Sequence, residues 1–411
     1  MRRVVVTGMG FLSPLGDDIS TLKESILDNK SGVKVIQEWQ EEIAGIATII
    51  AAPIANQDYK DIPRKYRRSM GKVAMMSARS MQKAIDDSGL DEVQIQDLRT
   101  GLSFGSTMGA NETLMEWISS VYNSKSFKGQ NSMLFLKAMS HTVSANLAAM
   151  FSIKGRNIPT CSACTSSSQA IGTGYESVKY GMSDIMFVGG AEGLHYLSEG
   201  VFEVIGATST GYNDNPKLTP KPFDRDRDGL IIGEGAGTLV LEEYEHAKKR
   251  GAKIYAELIG YATTCDGNHL TTPSREGMGN VMNLALENAN LKPKDIGYIN
   301  AHATSTQKGD IEESHATYEI FGKNVPISST KSYMGHLLGG CGVVESIISI
   351  MALNEHLLPA NKNLDNIDPQ CADLDYIREH RQEDITHVMN NNFAFGGINT
   401  SLIFSKIERI N

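Results

Sequence analysis

The chain has 411 residues, of which 41% are hydrophobic and 21% are charged, a composition typical of a soluble globular protein that is too long for one ordinary core. Its 39 basic and 48 acidic residues give a net charge of −9, which argues against a general nucleic-acid-binding protein. Uninterrupted apolar stretches of about 18 residues do not occur, so no membrane span is expected.

The amino-terminal stretch MRRVVVTGMGFL has the positive start and short apolar run of a signal peptide. Thr7 and Gly8 interrupt that run, however, so the pattern favours a buried strand. The five cysteines form no disulfide pattern, and Cys161 and Cys164 make a C-x-x-C pair without a second one. We therefore expect a reducing, cytoplasmic location.

Strands and helices alternate along the chain, beginning with that first strand. The pattern predicts a helix at 66–90, with a glycine near its end, and strands at 2–9, 100–107, 183–192, 253–264 and 296–306. Such an alternation predicts an α/β protein with buried sheets.

The second part of the chain repeats the pattern of the first. AIDDSGL at 84–90 and ALENANL at 285–291 end predicted helices in the same way, and each precedes a strand that runs into a Ser/Thr-rich turn. Gene duplication and convergent βα patterning both explain this similarity. The two halves would meet near residue 250, which gives domains 1–250 and 251–411. Because no linker separates them, we expect the halves to share an interface.

Cys164 lies in the segment SACTSSSQAIG, at the start of a helix predicted to run to about residue 181. Serine and threonine hydroxyls suit a helix start, and the positive end of the helix dipole favours a thiolate there. This spacing is compatible both with a nucleophile and with an inert buried thiol.

Two histidines, His302 and His336, each follow a predicted strand in a turn of small residues. Near a cysteine they could act as bases or as donors to an oxyanion, or they could only cap turns. Because no third ligand stands at helical spacing from them, we do not expect a zinc site. Lys331 and Glu345 flank His336 and form either a surface pair or, if buried, a pair that fixes the histidines.

Glycine-rich and basic segments complete the candidate functional features. The glycine clusters do not match a P-loop or a dinucleotide-binding motif. In FAFGGIN at 393–399 an aromatic residue precedes two glycines, where a backbone N–H could complete an oxyanion hole and the ring could close a pocket. RKYRRSMGK at 64–72 is either a solvated basic helix face or a docking site for an acidic partner protein.

Together, five motifs resemble those of elongating type II β-ketoacyl-ACP synthases in order and spacing: SACTSSSQAIG, KPFDRDRDGLIIGEGAG, NAHATST, SSTKSYMGHLLGG and NNFAFGGIN. The resemblance extends from Val4 to about Phe404. It implies a thiolase-like fold of two duplicated βαβαβαββ halves in α-β-α-β-α layers. It also implies an acyltransferase that condenses malonyl-ACP with a cysteine-bound acyl chain and extends that chain by two carbons. It implies no cofactor, since the substrates are carried on the phosphopantetheine of acyl carrier protein (ACP).

The resemblance assigns roles to the residues singled out above. Cys164, in the amino-terminal half, would be the acyl-accepting nucleophile. His302 and His336, in the carboxy-terminal half, would promote decarboxylation and stabilise the enolate. Lys331 and Glu345 match the pair that supports them.

Substrate contacts are implied in the same way. Phe395 matches a gating phenylalanine, and the backbone N–H groups of Cys164 and Phe395 would form the oxyanion hole. His269 lies near the expected pantetheine entrance, and Thr304 and Thr306 match threonines that contact the pantetheine arm.

Two further sites follow from relatives. The carrier protein would dock on Lys65, Arg67 and Arg68. A monovalent cation, present in some relatives, would lie near Asn300, Glu345 and Asn391, and no other metal is implied.

Some residues depart from the fatty-acid pattern, and the segments KAMSHT at 137–142 and IPTCSACTSSSQ at 158–169 are similar to ketosynthases of bacterial aryl-polyene pathways, which are polyketide-type. Ala303 and Ile398 replace the common glycine and threonine of HGTST and FGGTN, and Lys137 and His141 are polar where fatty-acid enzymes are mostly apolar. This resemblance implies a straight, partly polar tunnel for conjugated chains, lined by Lys137 and His141, and a heterodimer with a chain-length factor. The alternative is a homodimeric housekeeping fatty-acid enzyme. The presence of Cys164 disfavours a catalytically silent partner subunit.

Overall fold

Strands from both halves of the chain form one eleven-stranded sheet, which runs through the whole molecule. The structure is a computed structural model that describes residues 1–407. The order of the strands in this sheet shows how the two halves are related.

The amino-terminal half extends to the end of α11. Its strands are β1 (Val4–Leu12), β2 (Lys34–Val35), β3 (Ile50–Ala51), β4 (Thr100–Gly105), β5 (Asn157–Thr160), β6 (Ile185–Glu192) and β7 (Gly235–Glu243). Its helices are α1 (Ile19–Leu27), α2 (Glu38–Glu42), α3 (Arg64–Arg67), α4 (Lys72–Ser88), α5 (Glu92–Ile95), α6 (Asn111–Ser124), α7 (Ser132–Ala138), α8 (Thr142–Phe151), α9 (Ser166–Lys179), α10 (Tyr196–Val204) and α11 (Tyr244–Lys249).

The carboxy-terminal half begins with a long strand. Its strands are β8 (Ala256–Cys265), β9 (Tyr298–Asn300), β10 (Pro326–Ser328), β11 (Leu357–Leu358), β12 (Asp375–Tyr376), β13 (Arg381–Gln382), β14 (His387–Ala394) and β15 (Ile398–Ser405). Its helices are α12 (Arg275–Ala289), α13 (Gln307–Phe321), α14 (Lys331–Met334) and α15 (Cys341–Glu355).

The two halves have the same strand topology. The order β5-β4-β6-β7-β1 in the first half corresponds to β10-β9-β14-β15-β8 in the second. In each half the first three strands are parallel and the remaining two pair antiparallel. The helix ends whose sequences resemble one another belong to α4 and α12, which follow the corresponding strands β1 and β8. The predicted fold of duplicated halves is therefore confirmed.

The halves join where β1 pairs with β8, through Val5 opposite Glu257 and Val6 opposite Ala256. Since a single sheet crosses this junction, the halves share a backbone-paired interface as well as side-chain contacts. The division into domains at residues 250 and 251 remains a prediction.

Helices α9 and α15 form the middle of five layers. Each packs against strands of both halves, α9 against β6 and β8 and α15 against β7 and β14, whereas α4 and α8 cover one outer face and α12 and α13 the other. Leu338–Glu355 is apolar and long enough to cross a membrane, but 89% of it is buried inside the protein. Its apolar character is therefore explained by its place in the core, between the parts of the sheet that the two halves contribute.

The helix predicted at 66–90 is wrong at its amino-terminal end. The chain forms the short α3 and then breaks, and α4 begins only at Lys72 after an extended Gly71. A Cβ atom on Gly71 would lie 2.8 Å from the Cβ atom of Ala110, so the close approach of the two chains requires glycine there. The predicted glycine end is correct, since Gly89 adopts the left-handed conformation that ends α4.

Glu199 on α10 is a buried carboxyl group without a compensating charge. Its side chain is inaccessible to solvent, and neither oxygen has a hydrogen bond of normal geometry to any residue within 1–407. Burial, together with the nearby charge of Glu203, raises the pKa of Glu199 to about 8. The carboxyl group is therefore mostly protonated at neutral pH.

This shift makes the stability of the fold depend on pH. Because the folded-state pKa of Glu199 exceeds the ordinary value of 4.5, its proton stabilises the fold at low pH, and that contribution is lost as the pH rises through 8. Between pH 6 and 9, we expect the free energy of unfolding of wild type to fall by about 2 kcal/mol relative to that of Glu199→Gln, which mimics the protonated acid. Thermal unfolding across this pH range measures the difference. The exposed Glu276→Gln on α12 is the matched control, and parallel curves for wild type and Glu199→Gln would contradict the assignment.

Candidate active site

Cys164 lies at the centre of the molecule, in a 3₁₀ turn (Ala163–Thr165) that connects β5 to the middle-layer helix α9. Hydroxyl groups hold this turn: the Ser162 N–H donates to Ser166 Oγ (2.9 Å), and Thr165 Oγ1 donates to the Ser162 carbonyl (2.7 Å). Ala163 has a φ of +50°, which a non-glycine residue adopts only at a conformational cost. The run of serine and threonine residues therefore builds the turn that places the cysteine, as the helix-start pattern predicted.

The tertiary structure brings both predicted histidines to Cys164. His336 Nε2 lies 2.9 Å from Cys164 Sγ, within hydrogen-bonding distance. The imidazole rings of His302 and His336 are perpendicular, with their centroids 5.2 Å apart. All three side chains are buried, so the turn-capping alternative for the histidines does not describe their surroundings.

Backbone contacts fix the segment that carries His336. Its N–H donates to the Ile231 carbonyl (2.7 Å), and its own carbonyl accepts from the Gly233 N–H (2.8 Å). A Cβ atom on Gly233 would lie 2.5 Å from the Met334 carbonyl oxygen, so the chains can approach this closely only because residue 233 is glycine. The glycine-rich segment preceding β7 therefore positions His336.

A buried carboxyl group positions the segment that carries His302. Glu313 on α13 accepts hydrogen bonds from the backbone N–H groups of His302 (2.8 Å) and Ala303 (2.6 Å). Burial raises the pKa of Glu313 to about 8, and the His302 N–H opposes that shift. No sequence pattern marks Glu313, because a side chain that binds backbone N–H groups leaves no pattern in neighbouring residue types.

Lys331 and Glu345 form a buried ion pair beside the histidines, so the surface-pair alternative is wrong. Lys331 Nζ donates to Glu345 Oε1, and Asn392 Nδ2 donates to Glu345 Oε2 (2.7 Å). Burial lowers the pKa of Lys331, but the charge and hydrogen bond of Glu345, together with other nearby acidic groups, outweigh burial and keep that pKa above its ordinary value. Burial and the Lys331 charge hold the pKa values of His302 and His336 well below 6.5. Both imidazoles are therefore neutral.

The thiol of Cys164 is protonated in the resting protein. Burial raises its pKa to about 12, against the opposing effects of the Lys331 charge and of the backbone N–H groups of Cys164 and Phe395. Burial therefore raises the pKa of this thiol by more than the helix start, as predicted from the sequence, would lower it. The two N–H groups at the sulfur are suited to stabilise an oxyanion, and His336 Nε2 is within reach of the thiol proton.

A cavity of about 250 Å³ leads to the three buried side chains. Phe395 lines it, with its ring centroid 5.7 Å from that of Phe202, and so do Thr304 and Thr306, whose hydroxyl oxygens are 3.2 Å apart. Exposed residues on its rim include Lys308. The cavity therefore connects the buried sulfur with the protein surface.

His269 stands beside the rim of this cavity, but its own side chain does not line the cavity. Its side chain is exposed, and its Nδ1 accepts hydrogen bonds from the N–H groups of Thr271 and Thr272, both at 3.2 Å. These two threonines do line the cavity. His269 thus holds the rim loop in shape instead of facing the cavity.

The expectation that Lys137 and His141 line the tunnel is wrong for the cavity of a single chain. Lys137 is half-buried on α7, and His141 is exposed just before α8. Helix α8 packs on the outer face of β4 and β5, whereas Cys164 precedes α9 on their inner face. Neither residue lines the cavity that leads to the sulfur.

The basic segment at α3 is accessible. Lys65 and Arg68 are exposed, and neither forms an ion pair within residues 1–407. Arg67 is half-buried, and its Nη1 donates to the Tyr59 carbonyl (3.1 Å). Lys65 and Arg68 therefore present free charge to solvent, whereas Arg67 also anchors the loop before α3.

Asn391 does not lie with Asn300 and Glu345, as the cation prediction required. Asn300 Nδ2 donates to the Glu345 carbonyl (3.3 Å), but the Asn391 side chain points to the other face of β14 and contacts Met282 Sδ (3.3 Å). Because side chains alternate along a strand, Asn392 faces Glu345 in its place.

Glu192, at the end of β6, is a second positioning carboxylate that the sequence analysis missed. Its oxygens accept from the N–H groups of Thr107 (2.7 Å), Met108 (3.2 Å) and Gly339 (3.2 Å) and from Ser106 Oγ (3.2 Å). Gly339 belongs to the turn that follows His336. Glu192 therefore ties the segment after β4 to the His336 turn.

Replacing this carboxylate tests its role. Glu192→Gln places an NH₂ group against N–H donors. We expect the free energy of unfolding to fall by about 2–3 kcal/mol, since hydrogen bonds to a buried charge are worth about 1.5–3 kcal/mol each. We also expect slower acyl transfer, because the His336 turn loosens. Urea unfolding and the acylation rate check both effects, with exposed Glu276→Gln as control. A variant with the wild-type unfolding midpoint would contradict this assignment.

Comparison with known proteins places the chain in a family. Residues 1–247 match the beta-ketoacyl synthase N-terminal domain, and residues 255–365 match the beta-ketoacyl synthase C-terminal domain. The 3-oxoacyl-[acyl-carrier-protein] synthase 1 of Haemophilus influenzae is 36% identical over 408 residues, which cover 99% of both chains.

Solved structures agree with this placement. A beta-ketoacyl synthase from Burkholderia phymatum STM815 is 44% identical, with a TM-score of 0.96 over 99% of this chain and 100% of that chain. A ketosynthase in complex with its chain length factor, from Xenorhabdus doucetiae, is 25% identical, with a TM-score of 0.83 over 99% of this chain and 98% of that chain. The chain therefore belongs to the beta-ketoacyl synthase family of acyltransferases, which have the thiolase-like fold.

Proposed function

We propose that this ketosynthase elongates conjugated polyene chains on ACP, in the cytoplasm, as a heterodimer with a chain-length-factor-like subunit. One observation carries the chemistry: Cys164 Sγ lies 2.9 Å from His336 Nε2. The backbone N–H groups of Cys164 and Phe395 also act on the sulfur, since both lower the pKa of the thiol. The residue roles below are part of this proposal.

The first half of the reaction transfers the acyl chain to Cys164. His336 Nε2 accepts the thiol proton as the sulfur attacks the thioester carbonyl of acyl-ACP. The N–H groups of Cys164 and Phe395 stabilise the tetrahedral oxyanion, and each such donor is typically worth about 3–4 kcal/mol. The C–S bond to phosphopantetheine then breaks, and that thiol leaves with the proton held by His336.

The second half extends the chain by two carbons. Malonyl-ACP loses carbon dioxide, and neutral His302 donates a hydrogen bond to the enolate oxygen that forms. His336 donates a second one in the tautomer that carries its proton on Nε2, which it adopts after the acyl-transfer step. The carbanion attacks the Cys164 thioester, the Cys164 thiolate leaves, and the thiolate regains a proton from solvent. One proton is consumed per cycle, and the product is β-ketoacyl-ACP. Thr304 and Thr306 would contact the pantetheine arm along the cavity wall.

An exposed apolar surface supports the partner subunit. Ile118 and Tyr122 on α6, Phe127 in the following loop and Phe135 on α7 are between 52% and 76% exposed. Contiguous apolar surface of this kind marks an interaction site. Strand β5, at the edge of the sheet, also offers unpaired backbone groups to another chain. Lys137 and His141 lie beside this surface, so they would act at the subunit boundary.

Homodimeric fatty-acid elongation is the second candidate function. The full-length identity of 36% to the Haemophilus influenzae enzyme favours it, whereas the complex of the Xenorhabdus doucetiae ketosynthase with its chain length factor supports the heterodimer. Both candidates use the same catalytic side chains, so only substrate preference and partner requirement distinguish them.

Intact-mass spectrometry after incubation with saturated and conjugated acyl-ACPs in parallel distinguishes the two functions. We expect a covalent adduct on Cys164 from conjugated chains, increased by co-expression with a chain-length-factor subunit, and no adduct on Cys164→Ala, which lacks the nucleophile. Adducts formed only with saturated chains would contradict our proposal and support fatty-acid elongation. An adduct on Cys164→Ala would overturn the nucleophile assignment itself.

The basic residues at α3 are suited to the acidic carrier protein. Because Lys65 and Arg68 present free charge, they would steer the carrier towards the cavity. Arg67 belongs to the same predicted surface, but its bond to the Tyr59 carbonyl means that its replacement would also disturb the loop.

Charge reversal tests this docking surface. We expect Lys65→Glu/Arg68→Glu to raise the KM for acyl-ACP about tenfold, since two rim ion pairs of up to about 1 kcal/mol each are lost. Turnover of an acyl-pantetheine mimic should not change, because the mimic lacks the carrier protein. Lys294→Glu, at an exposed site in the carboxy-terminal half, is the matched control. Equal losses with both substrates would contradict docking at α3.

A further inference from the structure

The geometry points to a second ligand for the catalytic cavity: a thiophilic divalent cation such as Zn²⁺, bound reversibly by Cys164, His302 and His336 and blocking acyl transfer. The binding rests on the arrangement of donor atoms alone. Its inhibitory effect rests on the proposed function, because the cation would occupy the side chains to which that proposal gives the chemistry.

The donor atoms already lie within reach of one metal ion. One ligand atom from each of Cys164, His302 and His336 falls within 4.8 Å of the others. Zinc binds sulfur at about 2.3 Å and imidazole nitrogen at about 2.0–2.1 Å, so tetrahedral ligand atoms lie about 3.3–3.6 Å apart. Side-chain rotations that move these atoms by about 1 Å would satisfy this geometry.

Few competing contacts hold these donors. Within residues 1–407, Nδ1 of His302 and Nδ1 of His336 are buried and have no hydrogen-bond partner. His336 Nε2 has one polar contact, with the sulfur itself. A metal would therefore replace a single weak hydrogen bond, and the cavity gives it a route from solvent and room for water or chloride as fourth ligand.

The surrounding charge limits the affinity. Binding breaks the S–H bond, releases the proton to solvent and forms a sulfur–metal bond, which leaves a net charge of +1 on the cation and thiolate. The ammonium group of Lys331 repels this charge, and its pairing with Glu345 offsets only part of the repulsion. We therefore infer reversible inhibition instead of a structural metal centre. A resident cofactor is also inconsistent with the proposed chemistry, because the metal occupies the nucleophilic sulfur.

The spacing of residues along the sequence does not reveal this site. No third ligand stands near the histidines in sequence, since Cys164 lies in the other half of the chain. The C-x-x-C partner Cys161 is not part of the cluster: it is exposed, and its Sγ contacts the Thr107 carbonyl oxygen (3.6 Å). Cys161 therefore serves as a matched control thiol.

Titration calorimetry of the metal-free protein with ZnSO₄ tests the binding without any substrate. We expect one Zn²⁺ per chain with release of a proton, loss of binding in Cys164→Ser, and affinity weakened about tenfold or more in His302→Ala. Cys161→Ser should bind as wild type does. Co²⁺ as a spectroscopic probe should show thiolate-to-metal charge-transfer absorption in wild type and in Cys161→Ser but not in Cys164→Ser.

Acylation assays complete the test. Zn²⁺ should block adduct formation on Cys164, EDTA should restore it, and previously acylated protein should not bind the metal. Unchanged Zn²⁺ binding in Cys164→Ser, or loss of binding in Cys161→Ser, would overturn the site. If the protein binds one Zn²⁺ per chain but accepts no acyl group in the absence of metal, the metal site is supported and the proposed function is refuted.

Discussion

The buried ion pair between Lys331 and Glu345 sets the electrostatics of the whole site. A lone ammonium group in the dry middle layer would be prohibitively costly, and the carboxylate of α15, held by Asn392 on β14, makes its burial possible. The charge of Lys331 then contributes to keeping both imidazoles neutral. It also lowers the pKa of the Cys164 thiol, against the larger effect of burial. The site therefore needs a core in which α15 is enclosed between the strands of the two halves.

Carboxylates that never contact the cavity sulfur give the site its shape. Glu313 holds the His302 segment, and Glu192 holds the turn after His336, in each case by accepting backbone N–H groups. Such bonds fix a loop without relying on its side chains, so those side chains remain free for chemistry. Among residues 1–407, Nδ1 of His302 and Nδ1 of His336 have no hydrogen-bond partner, and His336 Nε2 contacts only the Cys164 sulfur.

Much of the fold and of the reacting side chains could be predicted from the sequence. The order of the motifs around Cys164, His302 and His336 implied the thiolase-like fold, and the similar helix ends of α4 and α12 indicated the repeat that the strand order confirms. The break before Lys72 could not be predicted, because it results from packing of Gly71 against Ala110. Side-chain direction was equally inaccessible: Asn391 and Asn392 are neighbours in sequence, but only Asn392 faces Glu345.

By itself, the sequence determined the family, the chemistry available to the site and the presence of free basic charge at α3, because these depend on residue identity and local spacing. Only the tertiary structure decided that Cys164 and His336 meet within 2.9 Å, that the lysine is buried and that the thiol stays protonated. It also decided that Lys137 and His141 lie outside the cavity that leads to the sulfur. These properties depend on contacts between distant segments and on exclusion of water, and neither is encoded in the spacing of residues along the chain.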